Sequence, residues 1–230
     1  MMVSEHSALP AFRLENSKTT AIIGGGGKSS LMAVLGEEYR RRGETAVMTT
    51  TTHIRPPEQN GYMGDDAAVL SDLLVTHRLM TVGTMSEERK FGPSPLLEQL
   101  PKLADHVIID GSSNPVDDAL TLCAMELSDV IVRVMTADVR GLLYLDSARA
   151  IYSEAKYRFD SQITVLGNVH NVSPVSEVMS VSGKYDYVLP YSSEIENRYI
   201  AGELLCDMKR SVSRRFERQI RAMAKGIEEA

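Results

Sequence analysis

The chain has 230 residues, and among them are no tryptophan, four phenylalanines and two cysteines. Cys123 and Cys206 form no C-x-x-C pair and no metal-like spacing, which argues against a disulfide framework or a cysteine metal site. Both lie in apolar, helix-patterned surroundings and read as buried free thiols in a reducing compartment. No apolar run approaches the roughly 20 residues that a membrane-spanning helix needs. The first residues, MMVSEHSALPAFRLENSK, carry charges and no apolar core of signal-peptide length, so a cytoplasmic location is expected. An excess of positive charge is missing as well. With 25 Lys and Arg against 31 Asp and Glu the net charge is −6, which gives no global electrostatic case for a nucleic-acid partner. Repeats and low-complexity linkers are absent. What remains is 43% hydrophobic and 24% charged, an ordinary globular composition of a length suited to one α/β domain.

Short β-branched runs alternate with amphipathic stretches. Strands are expected at 19–23, 45–52, 78–84, 106–113, 129–136, 161–169 and 185–190. Helices are expected at 28–43, with Leu31, Leu35 and Tyr39 on one face and Gly43 as the stop, and at 70–77, 116–127, 139–157 and 173–182. A helical turn or two is expected at 95–104, and further helices from about 192 to the end. The segment 53–67, with Pro56, Pro57, Gly61 and Gly64, reads as a loop. Such alternation predicts a three-layer α/β fold, a parallel sheet with helices on both faces and no internal domain boundary. Right-handed crossovers then bring the C-terminal ends of the strands to one edge, where ligands bind.

Residues 22–30 read IIGGGGKSS. Ordering four successive glycines is costly, so the loop needs a reason to lack side chains. A strand ending at Ile23, then Gly24, Gly25, Gly26 and Gly27, then a helix from Lys28 is the construction of a phosphate-binding loop. Glycines let backbone N–H groups approach phosphates, and the helix N-terminus adds partial positive charge. Lys28 would reach the β- and γ-phosphates, the Ser29 hydroxyl would coordinate Mg2+, and Ser30 supplies a second hydroxyl. The common spacing G-x-x-x-x-G-K-[ST] would put its first glycine at Ile22. The shorter G-x-x-G-K-S fits Gly24 through Ser29 and is similar to the loop of the Mur ligases. The plainer alternative is a glycine turn that only joins strand to helix.

Phosphate-bound Mg2+ needs a carboxylate, directly or through water. VIID ends in Asp110, an apolar strand terminating in an acid, and reads as a Walker B element with Gly111 and Ser112 following. An aspartate capping a turn is the competing reading. A third unusual stretch is MTTTTHIRPPE (48–58), in which Thr49 to Thr52 fall at the ligand end of the second strand. Thr51 and His53 are candidate positioning or proton-carrying groups. Threonine is also simply a good strand former, and alternation lets at most two of the four point into one site.

The glycine loop with its Lys-Ser, the following helix and strand, TTTTH and the prolines together resemble the YqeC family of selenium-dependent hydroxylase accessory proteins. TVGTMSEERKFG (81–92) and ADHVIIDGS (104–112) are similar to that family's next segments. The likeness covers about residues 18–113 and implies a nucleotide-binding protein that assists maturation of a molybdenum hydroxylase. The second half is similar to MinD/ParA/CooC-type ATPases in SDVIVRVMTADVRGLLYLDSARAI, ITVLGNVHN and YVLPYSSEIENRYIAGELL. That likeness implies a P-loop NTPase fold, with Asn168 and the loop near Pro190 around the base. A turn residue is the other reading of Asn168. The extra loop lysine of that group would fall at Ile23. No NKxD-like guanine signature is present.

DMKRSVSRRFERQIRAMAKGI (207–227) carries Val212, Phe216, Ile220, Met223 and Ile227 at helical spacing, with a basic opposite face. It is expected to pack on the domain; the sharper alternative is a membrane-surface or partner-binding helix. The chain is thus expected to be an ATP- or other NTP-binding protein using Mg2+, with weak NTP hydrolysis and a protein client. A switch that homodimerises with nucleotide and a small-metabolite kinase or ligase are the alternatives.

Overall fold

The structure, a computed structural model, describes residues 14–197 apart from 15, 26–27, 55, 58, 89, 154–156, 158, 160, 171–174, 183–184 and 194–195. The expected helix at 207–227 lies outside the described residues, as do Gly26, Gly27 and Cys206.

The first strand, β1 (Thr19–Gly24), enters α1 (Lys28–Arg42) and returns through β2 (Ala46–Thr50). Next come β3 (Gly61–Tyr62), α2 (Ala67–His77), β4 (Leu79–Val82), β5 (Thr84–Met85), β6 (Phe91–Gly92) and α3 (Leu100–Leu103). The rest is β7 (His106–Asp110), a 3-10 turn at Pro115–Asp117, α4 (Ala119–Glu126), β8 (Val130–Thr136), α5 (Val139–Ser153), β9 (Gln162–Val169), α6 (Val175–Ser182) and β10 (Tyr187–Pro190). Eight strands form one sheet in the order β10-β9-β8-β1-β7-β2-β4-β3, and every pairing in it is parallel. This is the α/β architecture expected from the alternation of strand and helix patterns.

All six residues of β1 are buried, as a strand covered on both faces must be. Neighbouring side chains on a strand point to opposite faces, and Ile22 and Ile23 join different clusters. Ile22 packs with Ile108 and Val132 beneath Leu35 and Tyr39 of α1. On the other face Ile23 and Ile131 meet Met125 of α4, while Val47, Val107 and Ile109 meet Leu70 and Leu74 of α2 and Leu100 of α3. Each such side chain contributes roughly 1.5–3 kcal/mol on burial, so α1 is held to the sheet by its apolar face rather than by propensity alone. At the end of the sheet away from the glycine loop, the Tyr39 and His106 rings stack with centroids 3.6 Å apart. The Tyr39 hydroxyl there donates to the Leu14 carbonyl at 2.6 Å.

Several boundaries differ from the expected ones. The second strand stops at Thr50 and the fourth major strand at Asp110. Helix α2 starts at Ala67 because the Asp66 carboxylate accepts from the N–H groups of Ala68 and Val69. Asp118 does the same for Leu120 and Thr121, which splits the expected 116–127 helix into a 3-10 turn and α4. The expected loop at 53–67 contains β3, the expected strand at 78–84 ends as β4 at Val82, and residues 84–92 fold into the β5–β6 antiparallel hairpin, to which Ile54 adds a bridge at Phe91. These pairings are too short to leave a periodic pattern in the sequence. Cys123 is free, as expected, but half-buried rather than buried.

Candidate phosphate-binding site

Strand β1 lies between β7 and β8, so the glycine loop leaves the sheet at its centre. Gly24 has φ +106°, a conformation that favours glycine, and a Cβ there would collide with the Val134 carbonyl of β8. Gly25 is exposed, and its N–H donates to that same carbonyl at 2.9 Å. The Gly25 amide is therefore spent on the sheet. Among the described residues, the N–H groups free to meet a ligand on this side are those of the first turn of α1, which have no intrahelical acceptor. Ser30 lies in that turn.

Lys28 folds back over the loop. Its Nζ donates to the Gly24 carbonyl at 2.9 Å and to Ser113 Oγ at 3.5 Å, and lies 3.8 Å from Asp110 Oδ1. Ser29 is exposed, and its hydroxyl donates to Asp110 Oδ2 at 3.3 Å. Three of the expected residues, from α1 and the end of β7, thus meet in one place. Asp110 is 3% exposed, and its Oδ1 is buried without a hydrogen-bond partner. Burial pushes the Asp110 carboxyl above the usual carboxylate range, against the pull of the Lys28 ammonium and the Ser29 hydroxyl. An orphaned buried carboxylate oxygen beside a hydroxyl is a fitting donor pair for a hard divalent cation. Among the described residues no group of three or more His, Cys, Asp and Glu could hold a metal on its own. Phosphate oxygens and water would have to supply the remaining ligands, as is usual for Mg2+.

The turn after β7 closes the other wall. Gly111 N–H donates to the Ile22 carbonyl at 2.8 Å. A Cβ on Gly111 would come within 2.8 Å of Ile23 Cγ2, so this turn and β1 approach closely. Ser113 Oγ donates to the Gly24 carbonyl at 3.1 Å, joining the turn to the loop. Ser113 leaves no mark in the sequence, because a serine three residues past a strand-end acid carries no signal of its own.

The threonines turn inward to the fold. Thr49 donates to the Val82 carbonyl at 2.8 Å and Thr50 to the Asp110 carbonyl at 3.1 Å. Thr51 is buried, with its hydroxyl 2.6 Å from that of Thr121. His53 is exposed and stands apart, its ring alongside Gly92 of the hairpin rather than beside Lys28. Asn168 lies in β9, within the part of the sheet that β8 joins to β1. Beyond that strand the His170 and Tyr191 rings stack at 4.0 Å.

The family model described as YqeC protein matches residues 20–114. The matched region holds the glycine loop, the threonine run, Asp110 and Ser113, and ends before α4. No curated protein matches the chain. Solved structures show a likeness of fold over about nine-tenths of the chain. A ParA family ATPase from Chlorobium tepidum is 15% identical, with a TM-score of 0.58 over 90% of this chain and 97% of that one. The MinD cell division protein of Aquifex aeolicus is 13% identical, with a TM-score of 0.59 over 92% and 98%. The septum site-determining protein MinD of Pyrococcus horikoshii, complexed with Mg-ADP, is 12% identical, with a TM-score of 0.59 over 92% and 96%. The fold is therefore that of the ParA/MinD P-loop ATPases, as the second half of the sequence suggested.

Proposed function

We propose that the chain is a P-loop nucleotide-binding protein with weak NTP hydrolysis, and that it serves as an accessory or maturation factor for a molybdenum or selenium hydroxylase. One observation carries the nucleotide reading: Lys28, Ser29 and the unpartnered Oδ1 of buried Asp110 converge at the head of α1, beside a loop whose first glycine has no room for a side chain. The Mg-ADP held by a MinD of the same fold supports it. The accessory role is supported by the YqeC match alone.

In this reading the first turn of α1, with Ser30, cradles the phosphates beside the loop Gly24 to Gly27, and Lys28 exchanges the Gly24 carbonyl for a phosphate oxygen. Ser29 and Asp110 would hold Mg2+, which would supply positive charge to the phosphoryl oxygens. Thr51 donates its proton to Thr121 and acts as an acceptor and an anchor. The turn after Asp110 bounds the side from which water approaches, and His53, which stands apart from Lys28, takes no part in this reading. Asn168 lies towards the base. A nucleotide-switched homodimer is the second reading, and the ParA/MinD fold favours it over a metabolite kinase.

Titration calorimetry with MgATP and MgGTP tests the nucleotide reading. Loss of one charged hydrogen-bond donor is worth about 1.5–3 kcal/mol, so Lys28→Ala should weaken binding at least about tenfold. Unchanged affinity would rule the reading out.

A further inference from the structure

The Thr121 hydroxyl in α4 makes three hydrogen bonds and is fully buried. It donates to Asp118 Oδ2 at 2.7 Å and accepts the Ser112 N–H at 2.9 Å. Thr51 Oγ1 lies 2.6 Å away. A hydroxyl has one proton and two lone pairs. Since Thr121 gives its proton to the Asp118 carboxylate, Thr51 must be the donor in the third bond. The relay has a single direction, Thr51 to Thr121 to Asp118, and every hydrogen in it is assigned. Asp118 is fixed in turn, because its other oxygen caps α4 through the N–H groups of Leu120 and Thr121.

The relay ties three elements together at one atom: the end of β2, the turn after β7 and the start of α4. That turn carries Ser113, which holds the Gly24 carbonyl and takes a donor from Lys28. We propose that Thr121 is the positioning residue that sets the turn 111–114 against the phosphate loop, and that through it the site prefers nucleoside triphosphate to diphosphate. The inference rests on the nucleotide reading above. A diphosphate is held by the first turn of α1 and by Lys28, which the relay reaches only through Ser113, 3.5 Å from Lys28 Nζ. A terminal phosphate reaches the Ser112–Ser113 turn, whose placement depends on the relay. Because the Thr121 oxygen is fully buried, removing it leaves the Ser112 N–H and the Thr51 hydroxyl without that acceptor.

Thr121→Val keeps the shape and removes the oxygen. The full chain is titrated by calorimetry with ATP and ADP, and with GTP and GDP, each with Mg2+, alongside a thermal melt. For Thr121→Val the triphosphate-over-diphosphate ratio should fall about tenfold while diphosphate affinity stays within about twofold, and Thr121→Ser should restore the ratio. A ratio that survives the valine overturns the inference, and so does a proportional loss of both affinities, the mark of a merely structural residue. If Thr121→Val does not fold, Thr51→Val removes one arm of the relay and must lower the ratio; an unchanged ratio overturns the inference. Wild-type protein that binds triphosphate and diphosphate equally overturns it while leaving the nucleotide reading intact. Wild-type protein that binds neither overturns both.

Discussion

Replacing Asp110 by asparagine should stabilise the ligand-free protein and abolish its response to Mg2+. The carboxylate is 3% exposed, with one oxygen on the Ser29 hydroxyl and the other lacking any hydrogen bond. Its ion pair with Lys28 spans 3.8 Å. At an effective dielectric constant of about 20, that separation gives roughly 4 kcal/mol of attraction. Taking a carboxylate out of water costs several kcal/mol, and an unmet acceptor adds about 1–3 kcal/mol. The upward push on the Asp110 carboxyl says that desolvation wins. An asparagine of the same shape can turn its oxygen towards Lys28 and its N–H towards Ser29 Oγ, which removes the charge and keeps both contacts. A gain of about 1 kcal/mol follows, or about 2–4 °C in Tm for a chain of this size. Because the folded-state carboxyl lies above its ordinary value, the wild-type deficit appears as pH rises from the unfolded value through the folded one, and it persists at neutral pH. Calorimetric melts in metal-free buffer at pH 7 and in acid would therefore show the gap between variant and wild type closing at the acid end. With Mg2+ and nucleotide added, wild type should gain stability and the variant should gain far less. An Asp110→Asn protein that melts below wild type in metal-free buffer at pH 7 would refute the reasoning.

Gly24→Ala should cost about 3 kcal/mol or more in urea unfolding, because the site combines a positive φ with a collision at Val134; a cost below about 0.5 kcal/mol would contradict the described backbone. Asp138 concerns the start of α5. Burial alone would raise its carboxyl, but the Thr136 hydroxyl, the Arg140 guanidinium and the Gly141 N–H bring it down to about 2. Its contribution is complete above the ordinary carboxylate value and is lost as pH falls towards 2. Asp138→Ala should thus lower stability by about 1 kcal/mol at pH 7, with the Tm gap shrinking below about pH 4; a gap constant down to pH 2 would contradict the assignment.

The sheet was legible because its major strands are buried on both faces and so read as continuous apolar runs, as in VIID and VIVRVM. The loop and its lysine were legible because four glycines before Lys-Ser have few other uses. Tertiary pairing decided what the sequence left open. The β5–β6 hairpin and the Ile54 bridge depend on Phe91 lying against Gly83, a contact with no local signal. The threonine run marks the end of β2 but gives little sign of its bonding. Thr121 and Asp118, which fix its last buried member, lie some 70 residues further on. Ser113 was invisible for the same reason, since its importance comes from an 89-residue separation to Gly24.

Because β1 is the middle of the sheet, the ligand edge is a seam between two wings of different origin in the chain. One wing, β7 through β3, comes from the region that matches YqeC; the other, β8 through β10, comes after it. The wings touch at the glycine loop itself, where Gly24 is wedged against Val134. Side chains can therefore be exchanged along the outer strands of the later wing, altering whatever lies beyond the phosphates, while the anchoring chemistry on the earlier wing stays as it is. Along the β1–β8 pairing, and most tightly at that wedge, a change on one side has to be answered on the other.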